Sequence, residues 1–391
     1  MNVVVAAARG AEAGAETLRD LPTPALVLDR EKLDRNISRL SQHVSCLGAG
    51  LRPHLKTAKS IDVARRLFRG GVGPITVSTL AEAEYFAGHG FRDIIYAVGL
   101  APEKAPRALR LRRDGVDLKL ILDTLDQAMA LGQAGRAMGI VPSALIEIDC
   151  DGHRGGVAPD DPLLGEIAAA LRKANVELAG VLTHAGESYA LSDPDSLAAA
   201  AENERAGALA AAEVLRGQGE ECPIVSVGST PTVHYSSRLD GVTEVRAGVY
   251  AFGDLVQAEL GTCTIEDIAI GVLTSVIGHN VRHGRVLVDA GFLALSRDRG
   301  TADLPVDWGY GAILDPATGA VMEDVVLSST NQEHGILTAR SGELDFDQFP
   351  IGRRLMVLPN HACATAAAYD RYFVTDGDER IADVWERVNG W

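Results

Sequence analysis

Short apolar runs rich in β-branched residues recur along the chain: ALVLD from Ala25, LRPHLK from Leu51, PITVST from Pro74, DIIYAV from Asp93, KLILDT from Lys119, ALIEID from Ala144, LAGVLT from Leu178 and PIVSVG from Pro223. Between them apolar residues return every three or four positions, as in REKLDRNISRLSQHV, KSIDVARRLFRGG, TLAEAEYFAGHG and the Ala-rich SDPDSLAAAAENERAGALAAAEVLRGQG. That period marks helices with one buried stripe, and Ser192 and Asp193 are suited to cap the last of them. Strand and helix thus alternate with a repeat of roughly 25 residues, and eight repeats predict a closed parallel (β/α)8 TIM-like barrel in an α/β protein. An open, doubly wound sheet is the alternative.

After Val249 the pattern changes. IAIGVLTSVIGHNV, GRVLVDAG, VMEDVVLSST and RRLMVLP read as hairpin strands without comparable helices between them, which predicts a second, β-rich domain. The expected division is a leader over residues 1–21, either loose or joined to the β-rich part, a barrel over 22–255 and a β-rich C-terminal domain over 256–391. The start, MNVVVAAARGAEAGAE, has too short an apolar stretch and no basic opening for a signal peptide. No apolar run reaches the length that crosses a bilayer.

At 391 residues and 47% hydrophobic, the chain can bury a large core. A net charge of −16 and the lack of any Lys/Arg run argue against a nucleic-acid partner and for a small-molecule enzyme. Cys46, Cys150, Cys222, Cys263 and Cys363 are odd in number and lack CxxC spacing, so reduced thiols and a cytoplasmic location are expected.

In such a barrel chemistry sits at the C-terminal ends of the strands. LRPHLK places Lys56 at one such end, where its amine can form an imine with an aldehyde; composition alone favours a surface lysine. Gly228-Ser229-Thr230-Pro231-Thr232 follows the eighth run and offers hydroxyls and N–H groups that can enclose a phosphate, although such a cluster is more often only a turn. His361 and Cys363 stand two apart, so in an extended segment both face one side and can chelate one soft ion, Zn²⁺ best among common divalent ions. On spacing alone, a buried thiol beside an ordinary histidine is the commoner arrangement.

TPALVLDREKLDRNI, RPHLKTAKS and ITVSTLAEAEYF, with IEIDCDGHRGGV, VLTHAGESY, VSVGSTPT, TEVRAGVYAFGDLV, DAGFLALSRDRGT, DWGYG, NQEHGIL and PNHACATA, span nearly the whole chain. Together they resemble the D-serine dehydratase and D-threonine aldolase family, fold-type III pyridoxal-phosphate enzymes built on an alanine-racemase-like barrel. The resemblance implies that Lys56 carries the cofactor as a Schiff base and that Ser229 and Thr230 bind its phosphate, with Gly248 and Val249 adding main-chain donors. It also implies that His184 and Tyr189 lie beside cofactor or substrate, and that Arg246 faces the pyridine nitrogen, with Glu244 a competitor. Arg154 is left between a cofactor phosphate, a substrate carboxylate and an ion pair with Asp149.

In the resembled dehydratases the His-x-Cys pair holds zinc or another divalent ion, with Mn, Co and Mg as alternatives, beside the substrate's β-hydroxyl. Aldolase relatives tend to carry aspartate in place of the cysteine. The implied activity is therefore loss of water and ammonia from a D-configured 3-hydroxy amino acid, 3-hydroxyaspartate giving oxaloacetate or serine giving pyruvate. An aldolase yielding glycine and an aldehyde is the alternative, and a non-catalytic pyridoxal-phosphate protein a remoter one. Glu187 and Ala58 depart from the family pattern, which carries His or Ser at the first and often His at the second. Asp298, Arg299, Trp308, Tyr310 and His334 lie in shared motifs, with core packing an equal reading for Trp308 and Tyr310. Enzymes of this type and size usually pair across a two-fold axis, so a homodimer is expected.

Overall fold

The computed structural model describes residues 15–391; the first part of the expected leader lies outside the described residues. Eight parallel strands follow one another as the apolar runs predict: β2 Gly50–Pro53, β3 Ile75–Val77, β4 Asp93–Gly99, β5 Asp117–Leu122, β6 Ser143–Ile148, β7 Glu177–Thr183, β8 Ile224–Val227 and β9 Glu244–Ala247. They hydrogen-bond in the order β2-β9-β8-β7-β6-β5-β4-β3. A parallel bridge between His54 and Thr76, with Leu55 N–H donating to Thr76 O at 2.8 Å, closes the remaining gap. The sheet is thus a barrel, as expected, and its strands carry buried apolar residues such as Ile95, Ile121, Leu145 and Leu182.

One strand assignment is corrected. ALVLD, Ala25–Asp29 (β1), is not a barrel strand: it pairs antiparallel with Ile270–Asn280 (β10) and parallel with Arg371–Thr375 (β16). The eighth barrel strand is instead β9, so Lys56 follows the first barrel strand rather than the second. Composition could not separate the two, because EVRA carries two charged residues that the barrel interior accepts and ALVLD is apolar enough for either sheet.

Helices between the barrel strands end where local chemistry dictates. Thr79 caps Leu80–Gly88 and Thr124 forms a reciprocal capping box with Gln127 at the start of Leu125–Met138. Asp193 caps the long helix Pro194–Gly217, accepting from Ser196 N–H. None among the described residues is long and apolar enough to cross a membrane.

The second sheet has nine strands in the order β11-β14-β13-β12-β15-β10-β1-β16-β17, where β11 is Arg285–Val288, β12 Ala312–Leu314, β13 Val321–Thr330, β14 Gly335–Ala339, β15 Arg354–Leu358 and β17 Asp383–Glu386. All its pairings but β1–β16 are antiparallel, and β10 also pairs with β11, so six strands close into a ring. Thr17 bridges Arg380, and Leu18 and Leu21 pack with Val27, Leu273 and Phe373.

Chain contacts divide the molecule into two compact units. One holds the residues through Ile37 with Val249–Arg387, the other Ser38–Gly248 with Val388–Trp391. The β-rich unit is therefore discontinuous in sequence, since its sheet recruits β1.

Candidate active site

Lys56 lies in the turn directly after β2 and is partly buried. Two residues before it, His54 is engaged at both ring nitrogens, with Nδ1 3.4 Å from Lys56 N and Nε2 3.3 Å from Ser78 Oγ. A backbone N–H can only donate, so Nδ1 is the acceptor and Nε2 carries the hydrogen. Burial, then the charges of Lys56 and Arg246, hold the pKa of His54 well below its ordinary value.

His184, after β7, resembles it. Its Nδ1 donates to Gly228 O at 2.8 Å, and burial, with Arg154, Lys56 and Arg246 nearby, brings its pKa down to about 3. Two neutral imidazoles thus share a region with three cationic side chains, Lys56, Arg154 and Arg246. The carboxylates of Glu147, Glu204 and Glu244 face these cations and partly balance them, and the neutral imidazoles add no further charge. Tyr189, in the turn Gly186–Ala190, has its ring 6.4 Å from that of His184.

Arg246 is buried on β9, donating from Nη1 to Ser226 Oγ at 2.6 Å and from Nη2 to Thr183 O. Glu244 lies two residues nearer the strand's start and is committed elsewhere: it accepts from Arg52 Nε at 2.7 Å and Ser226 Oγ at 2.8 Å. Arg52 in turn forks onto Asp93 at 2.9 and 3.1 Å. Since barrel chemistry belongs to the strands' C-terminal ends, Arg246 stands nearer the mouth than Glu244.

Gly228 opens the turn after β8 with φ +140°, and a Cβ there would lie 2.0 Å from Arg246 O. Ser229 caps Thr230–Tyr235 in a reciprocal box with Thr232, and its hydroxyl is also 2.9 Å from Ser188 Oγ. The Thr230 hydroxyl is buried with no hydrogen-bond partner. A buried orphan hydroxyl in a Gly-Ser-Thr turn is what a phosphate would satisfy, so these residues fit the cofactor. Gly248 lets the chain pass the Lys56 turn, since a Cβ there would be 2.8 Å from His54 O. Val249 begins the other unit.

Arg154 is about half exposed and 3.7 Å from Glu147. Asp149, expected as its ionic partner, instead accepts from the N–H groups of Asp151 and Gly152 and shapes the loop. Glu187 accepts from or pairs with His153 Nδ1 at 2.7 Å on the surface of the neighbouring loops.

In the β-rich unit, His361 and Cys363 are side by side, but not through strand alternation. His361 is the N-cap of a short helix, Ala362–Ala366, and Cys363 lies in its first turn. The two side chains hydrogen-bond, and Asp298 Oδ2 is 3.0 Å from His361 Nδ1. Burial lowers the pKa of His361, but Asp298 and Cys363 outweigh it and push it up to about 11. The Asp298 bond occupies Nδ1 and would leave Nε2 to ligate a cation once the ring has lost its proton. Asp254 fixes the helix start by accepting from Ala362 N–H at 3.0 Å. Among the described residues no group of three or more His, Cys, Asp and Glu side chains is arranged to hold a metal, so water or substrate would complete the coordination.

Trp308 is buried, with Nε1 donating to Glu259 at 2.7 Å and Arg340 over its ring. Arg299 covers the Tyr310 ring and pairs with Asp307; His334 is exposed. Sequence reasoning missed His54, Glu204, Asp254 and the Arg52–Glu244 pair. His54 had a signal, two residues before Lys56 in RPHLK. Glu204 had a fainter one, an acid on the apolar stripe of an Ala-rich helix.

Two family models match the chain, that of the alanine racemase N-terminal domain over residues 28–256 and that of a putative serine dehydratase domain over 269–375. A D-threo-3-hydroxyaspartate dehydratase from Delftia sp. (strain HT23) is 52% identical over 96% of this chain and all of that protein. A D-serine dehydratase from Dictyostelium discoideum is 28% identical over 96% and 99% of the two chains. A D-threonine aldolase from Arthrobacter sp is 26% identical over 95% and 93%. The solved structure of the Delftia enzyme superposes with a TM-score of 0.92 at 51% identity, covering 96% of this chain and all of that one. A cysteine-to-alanine variant of a D-threo-3-hydroxyaspartate dehydratase, solved in a metal-free form, superposes with a TM-score of 0.93 at 50% identity over 96% of this chain and all of that one. With an alanine-racemase barrel and a serine dehydratase domain matched in turn along nearly its whole length, the chain belongs to the D-serine dehydratase and D-threonine aldolase family of fold-type III pyridoxal-phosphate enzymes.

Proposed function

We propose that this protein is a pyridoxal-phosphate- and divalent-metal-dependent dehydratase of D-3-hydroxy amino acids, acting on threo-3-hydroxy-D-aspartate to give oxaloacetate and ammonia, and secondarily on D-serine to give pyruvate. The observation that carries this reading is the convergence of the Lys56 amine, two neutral imidazoles and the Arg154 and Arg246 guanidinia around an orphaned phosphate turn.

When bound, pyridoxal phosphate supplies an electron sink for the charge left at Cα as its proton departs. Lys56 would hold the cofactor through its aldehyde, and its amine, when free, would be the base for the α-proton. Arg246, which keeps its proton, would donate to the ring nitrogen and leave it unprotonated, a weaker sink than a carboxylate partner would give, so that the leaving hydroxyl would need help. A divalent cation at His361 and Cys363, zinc by the softness of the thiolate and imidazole donors, supplies Lewis acidity. Ser229, Thr230, Gly248 and Val249 take the phosphate, and His184 and Tyr189 flank the cofactor. Arg154 offers a fork to a substrate carboxylate. Loss of the α-proton and β-hydroxide as water, followed by hydrolysis of the released enamine, balances to the 2-oxo acid and ammonia.

The deciding experiment supplies threo-3-hydroxy-D-aspartate and D-threonine separately and measures oxaloacetate against glycine plus acetaldehyde. Dominant aldehyde release would make the chain an aldolase; no turnover of either, with a Lys56-dependent absorbance band, would make it a cofactor carrier. The thiol of Cys363, softer than an aldolase-type aspartate, favours elimination. A homodimer is the proposed assembly, checked by light scattering. The five cysteines, all free, suit the proposed cytoplasmic location.

A further inference from the structure

Glu204 lies on the buried stripe of the helix Pro194–Gly217, in line with Leu197, Ala201, Ala208 and Ala211, and is 2% exposed. A carboxylate there is expensive unless something specific holds it. Its partners are not cations: Oε1 accepts the N–H of Ala185 at 2.9 Å and of Gly228 at 3.0 Å, and Oε2 accepts the hydroxyl of Thr232 at 2.6 Å. Ala185 follows β7 and Gly228 follows β8, so one side chain ties together the mouths of two adjacent barrel strands.

The bond to Thr232 also sets hydroxyl directions. A carboxylate can only accept, so Thr232 gives its proton to Glu204 and its oxygen accepts Ser229 N–H at 3.2 Å. Ser188 donates to Ala185 O at 2.7 Å, so its oxygen is the acceptor toward Ser229. The single proton of Ser229 therefore goes to Ser188 Oγ or to Thr232 Oγ1, 3.0 Å away, while the buried Thr230 hydroxyl has no hydrogen-bond partner. Of the turn's hydroxyls, that of Thr230 is left available as a donor.

We propose that Glu204 is the positioning residue of the phosphate turn, fixing its backbone through Gly228 and its hydroxyl network through Thr232 so that the unclaimed Thr230 hydroxyl donates to a phosphate. This rests on the pyridoxal-phosphate reading above. A purely structural role predicts equal loss of every ligand; the proposed role predicts loss specific to the phosphate.

The test compares binding of pyridoxal phosphate and of phosphate-free pyridoxal to the apoenzyme, by absorbance and fluorescence, in wild type, Glu204→Ala and Glu204→Gln, with thermal melts to establish folding. Glu204→Ala is expected to lose about tenfold in preference for the phosphate ester, with pyridoxal affinity within about twofold of wild type. Glu204→Gln keeps an acceptor for both amides but presents an NH2 to Thr232, reversing the hydroxyl order; a loss of about threefold is expected, and it stands as the test if the alanine variant does not fold. An unchanged preference in the folded variants, an equal loss of both ligands, or a gain in Glu204→Gln from removed charge repulsion would overturn the proposal. A wild-type protein that binds neither ligand through Lys56 would instead sink the reading on which it rests.

Discussion

Replacing Gly228 by alanine tests the geometry of the phosphate turn with a single methyl group. The residue has φ +140°, and its added Cβ would sit 2.0 Å from Arg246 O, 2.7 Å from Arg246 N and 2.8 Å from Arg246 C, where ordinary contact begins at 3.4 Å. All three atoms are backbone of β9 and cannot swing aside. Backbone strain of about 1–3 kcal/mol and forced repacking of about 1–3 kcal/mol together predict about 2–6 kcal/mol of destabilisation. For a unit the size of the barrel that is a fall in melting temperature of at least about 5 °C. The displacement also breaks the alignment of Gly228 N–H with Glu204 and of Gly228 O with His184, so cofactor affinity should fall as well. Gly88 is the matched control: it ends the helix Leu80–Gly88 and an added Cβ meets nothing within 4 Å, so alanine should be neutral or stabilising by up to about 1 kcal/mol. Thermal melts and cofactor titration of both variants decide the matter. Wild-type stability and affinity in Gly228→Ala would refute the turn as described.

Acid should destabilise the apoenzyme through its imidazoles: the unfolded chain protonates His184 near pH 6.5 and the folded chain only at about 3, so its contribution is full above 6.5 and is lost progressively as pH falls between those values. At pH 5 the loss from this residue is about 2 kcal/mol; buried carboxyls such as Asp254, pushed up to about 6, titrate over the same range, so the His184 share is read from urea titrations of wild type and His184→Gln, which should converge as pH drops. Arg154→Ala should leave stability within about 1 kcal/mol, because its ion pair is exposed, while raising KM for 3-hydroxyaspartate about tenfold more than KM for D-serine, which lacks the second carboxylate; equal effects on both substrates would remove its assigned role. Chelation by EDTA, with metal analysis confirming removal, should abolish dehydration and leave the Lys56-dependent absorbance intact; full activity after removal would exclude a catalytic ion at His361 and Cys363. Arg52→Ala leaves the half-buried Glu244 without a cation, held only by Ser226, while Asp93 keeps Lys119 at 2.9 Å, and should cost about 3 kcal/mol, read as an earlier urea midpoint.

The alternation of apolar runs with helical periods was sufficient to specify a barrel followed by a β-rich domain, because both periodicities are local properties of the backbone. Sequence also singled out Lys56, the Gly228–Thr232 turn and the His361/Cys363 pair, since reactive side chains at strand ends and two-residue spacings are visible in one dimension. Tertiary structure decided the rest. Which apolar run belongs to which sheet depends on long-range pairing, and it moved ALVLD into the β-rich sheet and made EVRA the eighth barrel strand. Whether His361 and Cys363 converge through a strand or a helix cap depends on where Asp254 pins the chain. Which acid matters depends on what surrounds it: Asp149 turned a loop, while Glu204, an acid in an alanine-rich helix, was brought beneath two strand ends by packing. Periodicity says which face of that helix is buried, but only the fold says that three hydrogen-bond donors are waiting there.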